Sequence, residues 1–246
     1  MKNFVNNNSK GLTLLTLYFL VVLMLSSLVG KVDLQSNVSE SVGLIINLIT
    51  HSAGHEGFWI TLPVLIFLSC KPLVSRQTFW VKMLRLLLIL VIGFAVKSGL
   101  KALTESPRPY TELLSHELLI PNPAHFYKLS KSQQDFAIDE LSKSVSDWRT
   151  TNWKGERDYS FPSGHTLFAA ICLAFFGAIF WEQRQFGWCI ILGCWASSVA
   201  FSRLWLGMHH PIDLLGSIVC VAVIYYFTSK SEPILERLGS VFSGYF

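Results

Sequence analysis

The chain has 246 residues, 51% of them apolar and only 15% charged, with a formal net charge of +4. Soluble domains carry about 25% charged residues, so this composition excludes a protein that is water-soluble throughout. The positive charge is spread along the chain without a basic block, which argues against a nucleic-acid partner.

Apolar runs near the roughly 20 residues that a helix needs to cross a bilayer lie at 11–30, 57–74, 80–103, 164–181, 187–207 and 211–229. They predict an all-α, polytopic membrane protein of about six spans. The first run follows Lys2 and Lys10, but Leu12 to Val29 is long for a signal peptide and no clear cleavage site follows, so it reads as a retained span. The run 41–50, "SVGLIINLIT", is too short to cross and reads as interfacial or re-entrant.

In "HSAGHE", His51 and His55 stand four apart with Glu56 adjacent, a spacing that binds zinc on a helix. A glycine interrupts it and no wider signature accompanies it, so no metal is expected. Cys70, Cys172, Cys189, Cys194 and Cys220 lie in or beside apolar runs without CxxC spacing, and imply neither a metal site nor a disulfide framework.

Lys2, Lys10, Lys71, Arg76, Lys82, Arg184 and Lys230 fall on one side of this span pattern, which the positive-inside rule makes cytoplasmic together with both termini. Lys31 is then external, and residues 104–163 form an extracytoplasmic insert of mixed charge. Ile138, Leu141, Val145 and Trp148 recur there at helical spacing, predicting an amphipathic helix over the membrane core. Trp153, Tyr159 and Phe161 read as an interfacial aromatic belt, with contact to substrate as the alternative. The expected organisation is one membrane domain over 1–246, with 104–163 as its cap.

This topology brings "KSGLKALTESPRP", "DYSFPSGHTLF" and "SRLWLGMHHPID" to one membrane face. Taken singly, Lys97, Lys101 and Arg203 are snorkelling side chains, Ser163 is a helix N-cap, and Asp213 is an acid in the first turn after Pro211. Taken together they describe a phosphate site. Helix N–H groups around Gly164 and His165 favour an anion, and Gly164 permits close backbone approach. The guanidinium groups of Arg108 and Arg203 match phosphate oxygens bidentately, and Lys101 adds a point charge. His165 and His209 supply a nucleophile and a proton donor, which phosphate-ester cleavage without a metal requires.

The three segments resemble, in order and spacing, the signature of the type 2 phosphatidic acid phosphatase superfamily. The elements are Lys101 with Arg108–Pro109, then Pro162 to His165, then Ser202–Arg203 with Gly207, His209 and Asp213. Within it, the length, the long insert and "HFYKLSKSQQ" look most like the bacterial phosphatidylglycerophosphatase B group. The resemblance implies a phosphatase with no cofactor or metal, acting through a phosphohistidine. His209 attacks phosphorus, Asp213 orients its imidazole, and His165 protonates the leaving oxygen. Lys101, Arg108, Ser163, Gly164 and Arg203 hold the phosphoryl oxygens.

The implied substrate is phosphatidylglycerophosphate, with phosphatidate and lipid diphosphates as further substrates. The implied place is the bacterial inner membrane, with the site at its periplasmic face and no required protein partner. The alternatives are an undecaprenyl diphosphate phosphatase, a lipid or anion transporter or binding protein, and a vanadate-dependent peroxidase, which six spans disfavour. A neutral His209 and a protonated His165 predict a bell-shaped pH–rate profile. The spacing selects His209 over its neighbour His210, which is expected to tolerate replacement better.

Overall fold

A computed structural model describes residues 2–70, 76–229, 231, 234–236 and 240, with side chains from residue 8 onward. The described elements are helical: α1 (Lys2–Val29), α2 (Glu40–Ser52), α3 (His55–Ser69), α4 (Arg76–Thr104), α5 (Pro109–His116), a 3₁₀ turn (Pro123–Lys128), α6 (Lys131–Leu141), α7 (Asp147–Gly155), α8 (Gly164–Glu182), α9 (Phe186–Trp205) and α10 (Pro211–Ser229). Lys71 and Lys230, used above for orientation, lie outside the described residues, as do positions 72–74 of the second expected span.

α8 is the central helix. Every residue from Thr166 to Phe180 is buried, as expected of a helix that is apolar all round. α1, α9 and α10 pack around it, with α3 and α4 beside them. Gly177 admits α1 closely, since a Cβ there would meet Leu14 Cδ1 at 2.7 Å. The Tyr18 hydroxyl of α1 donates to the Ala196 carbonyl of α9 at 2.9 Å, satisfying a polar group that apolar surroundings would penalise. Leu17, Leu20 and Met24 of α1 stay exposed, as an apolar membrane-crossing helix allows.

Five of the six expected spans form helices long and apolar enough to cross a membrane. The second does not reach that length. α3 has 15 residues, about 22 Å at 1.5 Å per residue, short of a hydrocarbon core of about 30 Å. It starts only after the Ala53–Gly54 turn that separates it from α2. That turn also breaks the helix on which His51 and His55 would share a face, so the zinc-like spacing is not realised as a helical pair. α2, the run too short to cross, packs against α9 and α3 and buries Gly43, Ile46 and Thr50.

The cap differs from the single amphipathic helix predicted. Residues 142–146, "SKSVS", separate α6 from α7, and serines there compete for backbone hydrogen bonds. Ile138 and Leu141 stay on α6, Val145 is buried in the connection, and Trp148 belongs to α7. Trp153 is not an interfacial belt residue. It is fully buried, stacked on Tyr110 with ring centroids 5.0 Å apart, and its indole N–H donates to the Leu206 carbonyl at 2.7 Å. The cap is thereby bound to the end of α9.

That end is a Schellman turn. Met208 N–H bonds the Arg203 carbonyl at 3.1 Å and Gly207 N–H bonds the Leu204 carbonyl at 3.0 Å. Gly207 takes φ +66°, a left-handed conformation that glycine adopts without steric cost. The turn stops the helix and delivers His209 to the cap, and Pro211 starts α10 two residues later, at the first helical position.

Candidate active site

The three polar clusters meet where the ends of α4, α8, α9 and α10 come together under the cap. His209 is 2% exposed. Its Nε2 faces Arg108 Nη1 at 3.4 Å. Its Nδ1 lies 3.3 Å from Ser160 Oγ and 3.4 Å from Asp213 Oδ2. Burial, reinforced by the positive charges of Arg108 and Arg203, holds the His209 pKa well below its ordinary value. The imidazole therefore stays neutral, the form in which a nitrogen lone pair is available. His210 turns away, with Nε2 3.8 Å from Glu112 Oε1 at a part-exposed position.

Asp213 occupies the third position of α10. Its Oδ2 accepts the His210 backbone N–H at 2.7 Å and a short hydrogen bond from the Ser160 hydroxyl. The carboxylate thus caps the helix as the acid of a capping box does while contacting the imidazole. Its Oδ1 is buried without a hydrogen-bond partner among the described residues.

Ser163 spends its groups on the framework. Its hydroxyl accepts the Thr166 N–H at 3.4 Å, and its N–H donates to the Asp213 carbonyl at 3.3 Å. The N–H groups of Gly164 and His165 follow in the first turn of α8, where backbone donors have no intrahelical acceptor. A Cβ on Gly164 would meet Lys97 Cδ at 3.2 Å. Lys97 lines the cavity described below, with Nζ 5.5 Å from the Phe94 ring centroid.

Arg108, Arg203 and Lys101 are all buried. Arg108 donates from Nε to the Asp158 carbonyl at 2.8 Å and from Nη1 to the Met208 carbonyl at 3.1 Å. Its backbone N–H is held by the Tyr127 hydroxyl at 2.9 Å. Arg203 donates from Nη1 to Thr50 Oγ1 at 2.7 Å, and its buried Nε has no partner among the described residues. Lys101 Nζ bonds the Tyr159 carbonyl and pairs with Asp158 Oδ2 at 2.9 Å.

Two carboxylates that sequence reasoning missed complete the site. Glu156 Oε1 lies 2.8 Å from Arg203 Nη2 and 3.7 Å from His165 Nε2, and Oε2 lies 3.3 Å from Arg108 Nη2. Asp158 Oδ1 lies 2.5 Å from the same Arg108 nitrogen. Burial alone would raise both carboxyl pKa values. The cations Arg203 and Arg108 for Glu156, and Arg108 and Lys101 for Asp158, outweigh it and hold both below the ordinary range. Glu156 terminates α7 in an extended conformation, and it and Asp158 both reach the Arg108 guanidinium. Arg157, between them, pairs with Asp135 on α6.

The missed signal is the acid–base–acid triplet "ERD" directly before "YSFPSGH". Ser160, inside that stretch, and Thr50, on the short helix α2, were also missed. Neither carries a periodicity that marks it.

A cavity of about 770 Å³ opens beside the site between α3, α4 and α8. His165, Lys97, Lys101 and Glu156 stand at its polar end, and Phe58, Phe94 and Phe168 form an apolar wall. One buried and one partly buried histidine, three carboxylates and three cations lie among apolar helices, beside a cavity with one aromatic wall. The class so defined is a polytopic helical membrane protein with a cluster of buried cations, carboxylates and histidines at the ends of its helices.

Residues 82–233 match the PAP2 superfamily, and the chain belongs to that family. It is similar to phosphatidylglycerophosphatase B of Escherichia coli K12, 34% identical over 129 residues that cover 51% of this chain and 50% of that protein. The Haemophilus influenzae protein of the same name is 31% identical over 163 residues, 58% of this chain and 66% of its own length. Undecaprenyl-diphosphatase BcrC of Bacillus subtilis is 36% identical over 79 residues, 32% of this chain and 38% of that protein. The chain thus spans about half to two thirds of the phosphatidylglycerophosphatases it matches.

Proposed function

We propose that the chain is an integral-membrane lipid phosphate phosphatase that hydrolyses phosphatidylglycerophosphate, and also phosphatidate and lipid diphosphates. The observation that carries this reading is the setting of His209. Its Nε2 points at Arg108 while its Nδ1 meets Asp213 and Ser160. A ligand needs only charge complementarity; a neutral, oriented imidazole among cations is what an attack on phosphorus requires. Similarity to two phosphatidylglycerophosphatases supports the lipid class.

In this mechanism His209 Nε2 attacks phosphorus, the bond from phosphorus to the lipid oxygen breaks, and His165 gives its proton to that oxygen. His165 then takes a proton from water. The water oxygen attacks the phosphohistidine, the N–P bond breaks, and inorganic phosphate leaves. Lys101, Arg108 and Arg203, with the N–H groups of Gly164 and His165, neutralise charge on the phosphoryl oxygens, the largest available lever in such a step. Ser163 contributes by capping α8, which keeps those N–H groups aimed.

The site lies at the outer face of a bacterial inner membrane, with both termini cytoplasmic. Its residues 104–163 form a cap, and the whole chain is one functional domain. The aromatic wall of the cavity receives the lipid.

The test is a panel of phosphatidylglycerophosphate, phosphatidate and undecaprenyl diphosphate offered to purified wild type, His165→Ala and His209→Ala, with and without EDTA. Wild type releases phosphate in EDTA, and both variants lose turnover while retaining lipid binding. Lipid binding by wild type without phosphate release would replace this reading by a transporter or binding protein. Similarity to BcrC favours one second reading, a preference for undecaprenyl diphosphate. Relative kcat/KM within the panel decides between the two.

A further inference from the structure

Every cation assigned above to the phosphoryl group spends donors on residues 156–158. Glu156 places one oxygen against Arg203 and His165 and the other against Arg108. Asp158 takes Lys101 and the same Arg108 nitrogen. An Arg Nη carries two protons, so Arg108 Nη2 is fully committed to these two acids. A phosphoryl group cannot use these donors while Glu156 holds them.

Glu156 is also built to leave. Its side chain is 30% exposed and lines the cavity of about 770 Å³. It sits where α7 ends in extended backbone, with φ −137° and ψ 101°. The pairing of Arg157 with Asp135 anchors the segment from its other side, so a side-chain rotation frees the cradle without unfolding the cap.

We infer that Glu156 is a built-in surrogate for the substrate's phosphoryl group, and that the need to displace it selects phosphomonoesters over phosphodiester lipids. This rests on the phosphatase reading. The contest is one of charge. A phosphomonoester carries about −1.5 to −2 at pH 7, against one negative charge for the glutamate and one for the phosphodiester of a bulk phospholipid. A dianion gains more from the shared cations than the carboxylate loses. A phosphodiester gains no more than the carboxylate did, because it brings one charge to the same cations. Bulk phosphodiesters surround the protein, so discrimination against them needs a repulsive element as well as an attractive one. The glutamate also scales every anion's apparent affinity down by the fraction of time the cradle stands free of it.

The experiment compares wild type, Glu156→Gln and Asp158→Asn in detergent. It measures inhibition by inorganic phosphate and by phosphatidylglycerol micelles, and phosphate-dependent thermal shift in a His209→Ala background. Glu156→Gln should bind inorganic phosphate at least about tenfold tighter and gain a still larger sensitivity to phosphatidylglycerol, narrowing the monoester preference. Asp158→Asn should move phosphate affinity in the same direction by less. If Glu156→Gln does not fold, Glu156→Asp takes its place: it keeps the charge on a side chain one methylene shorter, and it should tighten phosphate binding in the same direction.

Unchanged or weaker affinity for both anions, with kcat alone reduced, would make Glu156 a positioning residue for His165 and overturn the inference. The thermal shift separates the two hypotheses. Tighter phosphate binding by the variant with no lipid turnover in wild type would refute the phosphatase and keep the surrogate. Normal turnover with unchanged affinity would do the reverse.

Discussion

Ser160 offers a sharp test of how His209, the proposed nucleophile, is held. Its hydroxyl is fully buried, makes a short hydrogen bond to Asp213 Oδ2 and lies 3.3 Å from His209 Nδ1, while the direct His209–Asp213 approach is 3.4 Å. Ser160→Ala removes one oxygen and leaves Asp213 Oδ2 with the His210 N–H and the looser imidazole contact. Asp213 Oδ1 has no hydrogen-bond partner among the described residues. A hydrogen bond to a charged group is worth about 1.5–3 kcal/mol. Were all of it lost at the transition state, that corresponds to a fall in kcat of roughly 10–150-fold. KM should change little, because the serine does not face the phosphoryl cradle.

The assay is steady-state phosphate release together with thermal unfolding. Ser160→Thr serves as a control that restores the hydroxyl at the cost of one methyl. Ser160→Ala within twofold of wild type in kcat would refute the claim that the hydroxyl couples His209 to Asp213. A drop in unfolding temperature with unchanged kcat would assign it a purely structural role.

Gly207→Ala should destabilise the protein by at least about 1–2 kcal/mol, the cost of a left-handed non-glycine residue. Its Cβ would also meet Leu34 Cδ1 at 2.7 Å; thermal unfolding and activity should both fall, and an unchanged unfolding temperature would contradict the turn geometry. Arg203→Lys keeps the charge but cannot serve Thr50 and Glu156 together; kcat/KM should fall about tenfold or more, and a value within twofold of wild type would argue against a role for the guanidinium fork. Stability should fall on acidification. His209 has a depressed folded pKa, so below an unfolded value of about 6.5 the unfolded chain binds the extra proton. Glu156 adds a second loss below the ordinary carboxylate range. Unfolding temperatures from pH 8 to pH 5 should decline, and His209→Gln should flatten the decline.

The helical membrane class was legible because apolar runs announce themselves by length. The spacing of "SRLWLGMHHPID" likewise located the start of α10 at Pro211 and left His209 in the connection. The three clusters lie together as the span pattern required, although α3 is shorter than a full crossing. What composition and period did not reveal was partnership. The hydrophobic stripe of the cap runs through Val145 and Trp148, yet serines at 142, 144 and 146 divide it into two helices. Trp153 reads as an interfacial aromatic, but stacking on Tyr110 and a bond to the Leu206 carbonyl draw it inside. Glu156, Asp158, Ser160 and Thr50 are single polar residues, and only approach in space tells them from ordinary loop or helix-surface positions.

The double duty of Asp213 has a consequence for how such a protein can change. One carboxylate oxygen meets a helix-starting amide, a serine hydroxyl and the imidazole. A substitution there that retunes reactivity also unfastens the first turn of α10, so variation at this position is filtered twice, once by folding yield and once by turnover. Engineering of the reaction has wider latitude at residues 156–158, whose side chains brace no helix start. Redesign should begin in that connecting segment and leave the aspartate alone.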